Sequence, residues 1–144
     1  MLTKVEALKK TAEMWKWLSE HPQKTKTDYF THEAIFPRPT CLCYCCQYAK
    51  EKYAQEHNLN VVPVHGMNRE ICEFCPISDW GGDKKDYNCA PCEEYGSPYQ
   101  AWRHNVTAYL VTGESNAVKS KKTAALNVAD LASKQLEQVK IKEA

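Results

Sequence analysis

The sequence predicts a mainly α-helical fold: a small, irregular domain braced by zinc, with an N-terminal helix, central cysteine knuckles and two C-terminal helices. The chain has 144 residues, of which 43% are hydrophobic and 26% are charged, a composition typical of one globular domain. Apolar side chains recur at helical spacing near both ends. Eight cysteines lie within residues 41–92, and six of them form C-x-x-C pairs. These three observations carry the prediction.

The first predicted element is an amphipathic helix that starts at a capping box. Thr3 is followed three residues later by Glu6, so that a hydroxyl and a carboxylate can each accept from the other residue's backbone N–H. The apolar stripe that follows ends before Pro22, and Trp17 lies off it, where we expect it to contact another element or a partner. The stripe consists of Val5, Leu8, Ala12, Trp15 and Leu18.

The next segment predicts a connection rather than a core element. Residues 22–40 hold three prolines, with a short helical turn around Thr27–Ala34 and an extended approach to the first cysteines. Beyond those cysteines, Gln47–His57 has no glycine or proline and predicts a helix. Asn60–Val64 is β-branched but contains a proline, so it predicts at best an edge strand.

Two helices are predicted to close the chain. Ser97-Pro98-Tyr99-Gln100 combines an N-cap hydroxyl, a proline at the first helical position and a glutamine at N3. Gly113 stops this helix, and an Ala- and Lys-rich helix follows from about Ser115 to Ile141. Its apolar stripe is thin, so it lies across the domain, pairs with a partner or frays. The apolar side of the earlier helix carries Tyr99, Trp102, Val106, Tyr109 and Leu110.

We expect a single domain in three parts: an N-terminal helix and linker (1–40), a zinc-braced core with a packing helix (41–112) and a C-terminal helix (113–144). No run of about 18 apolar residues occurs, and the first residues lack the basic and apolar parts of a secretory leader. We therefore expect a cytoplasmic protein with no membrane partner. The sequence does not indicate an oligomeric state.

Charge is unevenly distributed along the chain. Residues 1–27 and 116–144 each carry six lysines and three acidic side chains, whereas residues 28–115 carry seven basic and twelve acidic ones. Every cysteine lies in the acidic part. Because nucleic-acid binding needs a basic docking surface, the cysteine-bearing part disfavours it. Only the lysine-rich ends could bind nucleic acid, and their lysines are explained more simply as the solvated face of a helix.

The cysteine pairs predict structural zinc. In a reducing compartment, short cysteine pairs are typical of metal sites rather than disulfides. A two-residue spacing aims both sulfurs at one point about 2.3 Å from the ion, and two such pairs complete a tetrahedron. The most economical site joins Cys43 and Cys46 to Cys72 and Cys75.

Other pairings stay open. A rival site joins the pair Cys72 and Cys75 to the pair Cys89 and Cys92, which leaves the first cluster to find His65 or its own neighbours. Two zinc ions held by all eight thiols also satisfy the count. We therefore expect one zinc ion, or two. The candidate second or substitute ligands are Cys89, Cys92, Cys41, Cys45 and His65.

This ligand set does not predict an enzyme. All-cysteine sites are closed, whereas hydrolytic zinc keeps an open position for water. The order of His57 and Asn68 before Cys72 is loosely like that of an HNH-type nuclease, but Pro76 stands where a ligand and a helix are expected. A thiol oxidoreductase motif at Cys89-Ala90-Pro91-Cys92 lacks the expected βαβ pattern.

Several blocks of the sequence resemble a group of small cysteine-rich proteins encoded by tailed bacteriophages. The blocks are Cys43-Tyr44-Cys45-Cys46-Gln47-Tyr48-Ala49, Cys72-Glu73-Phe74-Cys75-Pro76-Ile77, Trp80-Gly81-Gly82, Cys92 and Gly96-Ser97-Pro98-Tyr99-Gln100-Ala101-Trp102. The resemblance spans residues 43–102 and implies a phage origin and bound zinc, with no assigned activity. Cys41, Cys45 and Cys89 are additional to that pattern.

These observations together predict a non-catalytic, zinc-stabilised interaction protein that binds and modulates a host or phage protein in the host cytoplasm. The alternative is a nucleic-acid-associated accessory factor of transcription or replication that uses the basic ends, and a third is an HNH-like nuclease. We expect Trp80, Trp102 and Tyr99 to pack around the zinc-braced loop, because small domains depend on such cross-links to complete a core.

Overall fold

The computed structural model describes residues 1–60, 69–83, 91–104 and 115–143. Within these ranges the chain is mainly helical and contains no strand, as the predicted fold class requires. None of the helices in this part of the chain is both long and apolar enough to cross a lipid bilayer. The helices are α1 (Lys4–Glu20), α2 (Lys26–His32), α3 (Tyr44–Glu56), α4 (Arg69–Cys72), α5 (residues 98–104) and α6 (Ser115–Glu143), with 3-10 turns at Thr40–Leu42 and Pro91–Glu93.

Helix α1 is the centre of the fold and begins at the predicted capping box. The Glu6 backbone N–H donates to Thr3 Oγ1 at 3.0 Å, and the Thr3 backbone N–H donates to Glu6 Oε2 at 2.9 Å. The helix ends at Glu20, before Pro22, as expected. Because α1 contacts α2, α3 and α6, its two ends and its buried face position most of the other elements.

Replacing Thr3 with alanine should destabilise the protein by about 1 kcal/mol, because the first turn of α1 loses its side-chain acceptor. Thr123→Ala is the matched control, since Thr123 is exposed within α6 and alanine is the better helix former there. Denaturant titrations of both variants measure the difference. Equal midpoints for the two variants would contradict the capping assignment.

Helix α6 packs along α1 through small side chains. Lys121 Nζ, in the second turn of α6, donates to the carbonyl oxygen of Lys24 at 3.2 Å, just past the end of α1, so the two helices run in opposite directions. The narrow apolar stripe of α6 is sufficient for packing against α1, because the small side chain of alanine lets the two helix axes approach closely. Of the three alternatives for the last helix, the structure shows packing across the domain. The buried residues of α6 include Ala124, Ala125, Val128, Ala132 and Val139.

An aromatic cluster joins α1 to α5. The ring of Trp15 meets that of Trp102 edge-on at 4.9 Å and that of Tyr99 at 5.7 Å. Trp102 and Trp80 are buried, which confirms that the tryptophans near the cysteines pack inward. Trp17 also contacts another element, as expected, because its ring lies within 6 Å of rings on α2.

Local sequence rules place the start of α5 correctly and the start of α3 three residues late. At α5 the Gln100 N–H donates to Ser97 Oγ at 3.1 Å, and Ser97 Oγ donates to the Cys92 carbonyl at 2.6 Å. Helix α3 begins at Tyr44 rather than Gln47, so the cysteines at positions 45 and 46 lie inside its first turn. Residues 61–64 of the predicted strand and the predicted stop at Gly113 lie outside the described residues.

Candidate metal centre

Cysteines from three separate segments line one cavity of 490 Å³. Trp15 and Trp80 contribute apolar walls, and Lys26 reaches the same space. No disulfide joins any two of these cysteines. The cysteines around the cavity are Cys41, Cys43, Cys45, Cys46, Cys72, Cys75 and Cys92.

The first segment reaches the cavity through a tight left-handed turn. Cys41 and Leu42 have φ values of 58° and 52°, a conformation that is uncommon for residues other than glycine. Gln47 Oε1 holds this turn against α3, since it accepts from the Thr40 backbone N–H at 3.0 Å and from the Thr40 hydroxyl at 2.6 Å. The turn therefore brings Cys41 back towards the cysteines that follow it.

The pair Cys43 and Cys46 spans the start of α3 rather than an isolated knuckle. Cys43 is the N-cap residue, with extended backbone dihedrals, and Cys46 is the third residue of the helix. Hydrogen bonds with the Cys45 and Cys46 thiols, and one donated by the Cys46 backbone N–H, lower the pKa of Cys43 well below its usual range. The helix start thus favours a thiolate at Cys43, whereas the pKa of Cys46, whose thiol donates to Cys41 and Cys43, is raised.

The pair Cys72 and Cys75 forms the tight turn expected of a knuckle. The Cys75 N–H donates to the Cys72 carbonyl at 3.0 Å, directly after α4. A hydrogen bond with the Cys45 thiol lowers the pKa of Cys75, and donation from the Ile77 backbone N–H and the Trp80 indole lowers it further. Backbone amides facing a thiolate are the arrangement that the two-residue spacing predicts.

Hydrogen bonds link the cysteines of the first segment to one another. Hydrogen bonds with the Cys46 thiol shift the pKa values of Cys41 and Cys43, and hydrogen bonds with the Cys45 thiol shift those of Cys43 and Cys75. These bonds lower the pKa of Cys41 to about 6 and the pKa of Cys43 well below its usual range. They raise the pKa values of Cys45 and Cys46, whose thiols act as the donors.

The cluster is tied to the helical layer and to the third segment. Thr11 Oγ1, on the buried face of α1, lies 3.3 Å from the Cys45 sulfur. Cys92 lies in the 3-10 turn Pro91–Glu93, and burial raises the pKa of its thiol. Cys45 is buried and Cys92 is half-buried, so an unbalanced charge is costly at both positions.

Two lysines place positive charge beside the thiols. Lys26 Nζ donates to Tyr99 Oη at 3.0 Å and to the Cys41 carbonyl at 3.3 Å. Burial opposes the charged form of Lys26, but Tyr99 and the thiols of Cys43 and Cys46 outweigh it, so its pKa is raised. Lys50 is fully buried, and no acceptor in the described part of the chain bonds its Nζ, yet its charge helps to lower the pKa of Cys41.

The structure brings together most of the candidate ligands from the sequence. All four members of the preferred set line the cavity, together with three of the substitute ligands, whereas Cys89 and His65 lie outside the described residues. Across residues 1–60, 69–83, 91–104 and 115–143, no three His, Cys, Asp or Glu side chains stand in an arrangement that could hold a metal ion. The thiols converge without forming a coordination geometry, and zinc stays a prediction.

Comparisons of this chain with protein-family models, with curated proteins and with solved structures found no match.

The donor set itself fits a soft divalent ion. Thiolates are the ligands that zinc takes in closed structural sites, and two ammonium groups and a helix start offset their charge.

The sequence did not predict that Lys26 and Lys50 lie beside the cysteines. Lys50 had a local signal, because it lies four residues after Cys46 on one helix and so shares its face. Lys26 had none.

The histidine suggested by a nuclease pattern performs a structural role in this fold. His57 is the C-cap residue of α3, its Nδ1 lies 2.9 Å from the Tyr53 carbonyl oxygen, and its ring stacks on that of Tyr53. No histidine is among the described residues that line the cysteine cavity. The contacts of His57 are those of a helix end.

Proposed function

We propose that this chain is a non-catalytic cytoplasmic protein that uses zinc–thiolate ligation to brace its binding surface for a protein partner. The observation that carries the proposal is the convergence of cysteines from three segments on one cavity. Cys43, Cys46, Cys72 and Cys75 would be the first ligands. Bound zinc would cross-link the three cysteine-bearing segments. The resemblance to phage proteins makes a host or phage protein the proposed partner.

The cavity chemistry supports bracing rather than catalysis. Hydrolytic zinc needs an open coordination position and a nearby base. Among the described residues, two carboxylates line the cavity: Glu93 is engaged by Arg103, whose guanidinium nitrogen lies 2.6 Å away, and Glu73 is the other. The remaining lining is dominated by thiols and aromatic rings. Such a set closes around an ion instead of presenting it to a substrate.

Two exposed aromatic side chains adjoin the cysteine segments and are the proposed anchors for the partner. Phe36 is 92% exposed and lies five residues before Cys41, and Tyr95 is 76% exposed and lies three residues after Cys92. Large aromatic side chains contribute most binding energy when their backbone is held in the bound conformation. Zinc at the neighbouring cysteines would supply that restraint.

The lysine-rich N-terminal helix provides little support for nucleic-acid binding. On the exposed side of α1, four lysines are interspersed with three glutamates, so this face has a net charge of only +1. Phosphate contact requires an excess of basic groups along one surface. A solvated helix face therefore explains the charges of α1 more simply. The interspersed residues are Lys4, Lys9, Lys10, Lys16, Glu6, Glu13 and Glu20.

Affinity capture tests the proposed binding activity. The full chain, loaded with zinc and expressed in bacterial cells, should retain a partner in stoichiometric amount, and Phe36→Ala or Tyr95→Ala should reduce that amount at least tenfold. Leu126→Ala is the matched control, because Leu126 is an exposed apolar residue on α6 and does not line the cysteine cavity.

Three outcomes would count against this function. In the first, neither Phe36→Ala nor Tyr95→Ala changes the amount of captured partner. In the second, the chain binds nucleic acid at low salt and its affinity falls steeply as salt is added. Magnesium-dependent cleavage of nucleic acid that is abolished by His57→Ala would indicate a nuclease instead.

Replacing Lys26 with methionine should weaken zinc binding about tenfold, because groups that orient and neutralise metal ligands commonly contribute 10- to 100-fold in affinity. Lys24→Met is the control, since the Lys24 side chain is exposed. Competition with a chromophoric chelator measures both affinities. The assignment of Lys26 to the cavity is wrong if the two variants bind zinc equally well.

A further inference from the structure

An aromatic stack at the joint of α1 and α2 lies outside the lining of the cysteine cavity. Trp17, which is off the apolar stripe of α1, is only partly buried. The ring of His21 stacks on it at 4.1 Å, and the ring of His32 lies 5.4 Å away at an angle of 32°. The His32 side chain is 63% exposed, so this α1–α2 stack presents an aromatic surface to solvent.

Carboxylates border the α1–α2 stack. Glu33 directly follows the last residue of α2, and its Oε1 lies 4.0 Å from His32 Nε2. Glu13 lies four residues before Trp17, so the two side chains share one face of α1. Both glutamates are exposed. The surface of the stack therefore combines exposed rings with negative charge.

Three basic side chains of this region are directed elsewhere. Lys10 Nζ lies over a tyrosine ring of α3, 5.4 Å from its centroid, and the Arg38 guanidinium donates to a threonine hydroxyl of α2 at 3.0 Å. Lys16 is one residue from Trp17 and therefore lies about 100° around the helix from it. These positions leave the carboxylate of Glu33, which is 45% exposed, accessible to a cation from outside the chain.

We infer that the α1–α2 stack and Glu33 bind an arginine side chain of the protein partner. A guanidinium group can stack on an aromatic ring while it donates two parallel hydrogen bonds to a carboxylate. His32 and Glu33 offer these two contacts side by side. The inference rests on the proposed partner binding, and it specifies a partner with a basic segment. The phosphates of a nucleic acid would be repelled by the same carboxylates.

The turn after α2 fixes the position of Glu33 and leads to Phe36, the proposed aromatic anchor. The Ile35 backbone N–H donates to the Phe30 carbonyl at 3.1 Å. Ala34 has a φ of 53°, so the helix ends in the hydrogen-bond pattern of a Schellman motif. A fixed turn lowers the entropic cost of binding. Because Phe36 lies three residues after Glu33, a partner bound at one would also meet the other.

An NMR titration of the full-length chain with a defined peptide tests the arginine site. The probe is a short, terminally blocked peptide of alternating glycine and arginine. The same peptide with citrulline in place of arginine is the matched probe, because citrulline keeps the shape of the side chain and loses its charge. The arginine peptide should bind about fivefold more tightly and should shift the Trp17 indole and Glu33 amide signals. Equal affinities, or shifts confined to other parts of the chain, would overturn the inference.

Two substitutions locate the site. Glu33→Gln should weaken binding of the arginine peptide about fivefold, because the guanidinium loses its anionic acceptor, and His32→Ala should weaken it as well, because the guanidinium loses its ring. Glu137→Gln is the matched control, since Glu137 is an exposed carboxylate on α6, and it should leave the affinity unchanged. Equal losses in Glu33→Gln and Glu137→Gln would indicate unspecific attraction between charges and would overturn the inference.

Partner capture separates this inference from the proposed function. The amount of captured partner should fall in Glu33→Gln as it does in Phe36→Ala. A partner whose amount falls in Phe36→Ala but not in Glu33→Gln would overturn the arginine site and leave partner binding intact. A chain that retains no partner would overturn both.

Discussion

Removing zinc with a chelator should unfold the cysteine-bearing segments while most of the helix in the α1–α6 pair persists. Ligation and folding are coupled, and structural zinc contributes about 10–16 kcal/mol of apparent binding energy in small domains. Two of the three cysteine segments have only a four-residue helix or a 3-10 turn of their own, and the first joins a 3-10 turn to the start of α3. The α1–α6 pair has a buried stripe that does not include the cysteines.

Circular dichroism and tryptophan fluorescence, followed during addition of the chelator, measure this effect. Helical signal should fall only in part, whereas fluorescence should shift to longer wavelength, because Trp15 and Trp80 line the cavity and would become hydrated. Chelator already saturated with zinc is the control. Unchanged thermal stability and fluorescence after zinc removal would rule out a bracing role.

Replacing Trp15 with alanine should destabilise the protein by about 3–5 kcal/mol, the usual cost of deleting a buried tryptophan side chain. Trp15 is 2% exposed, and it joins α1 to α5 through its ring contacts with Tyr99 and Trp102. It also walls the cysteine cavity, so the variant should bind zinc more weakly. Denaturant titration at a fixed zinc concentration measures the loss of stability.

Trp17→Ala is the matched control for this substitution. Trp17 is only partly buried, and its ring packs on α2 rather than on the cavity. Its removal should cost less stability and leave zinc affinity unchanged. Equal losses of stability and zinc affinity in the two variants would show that Trp15 contributes no more to the core and the cavity than Trp17 does.

The fold could be predicted where local chemistry determines an element. Thr3 and Ser97 are N-caps with defined partners, so the starts of α1 and α5 follow from a few residues. The start of α3 could not be predicted in this way. Its first turn contains Cys45 and Cys46, which are poor helix formers, and contact with Thr11 on α1 holds Cys45 inward.

The sequence predicts which cysteine pairs belong to the cluster better than it predicts how the cluster is arranged in space. Spacing alone selects the pairs at Cys43 and Cys72, because each pair is a local unit. The inclusion of Cys41 depends on a left-handed turn at a non-glycine residue, which sequence patterns do not indicate. Lys26 reaches the cavity from a position fifteen residues before Cys41, and only tertiary packing brings them together.

The most direct test of zinc–thiolate bracing is the zinc content of the purified full-length chain, measured together with the reactivity of its thiols. Zinc–thiolate bracing predicts that zinc stays bound during gel filtration and that the thiols react rapidly with a disulfide reagent only after chelation. The thiols should become reactive in parallel with the loss of zinc. Purified protein that contains no zinc, keeps its full helical signal and exposes its thiols to rapid reaction would contradict it.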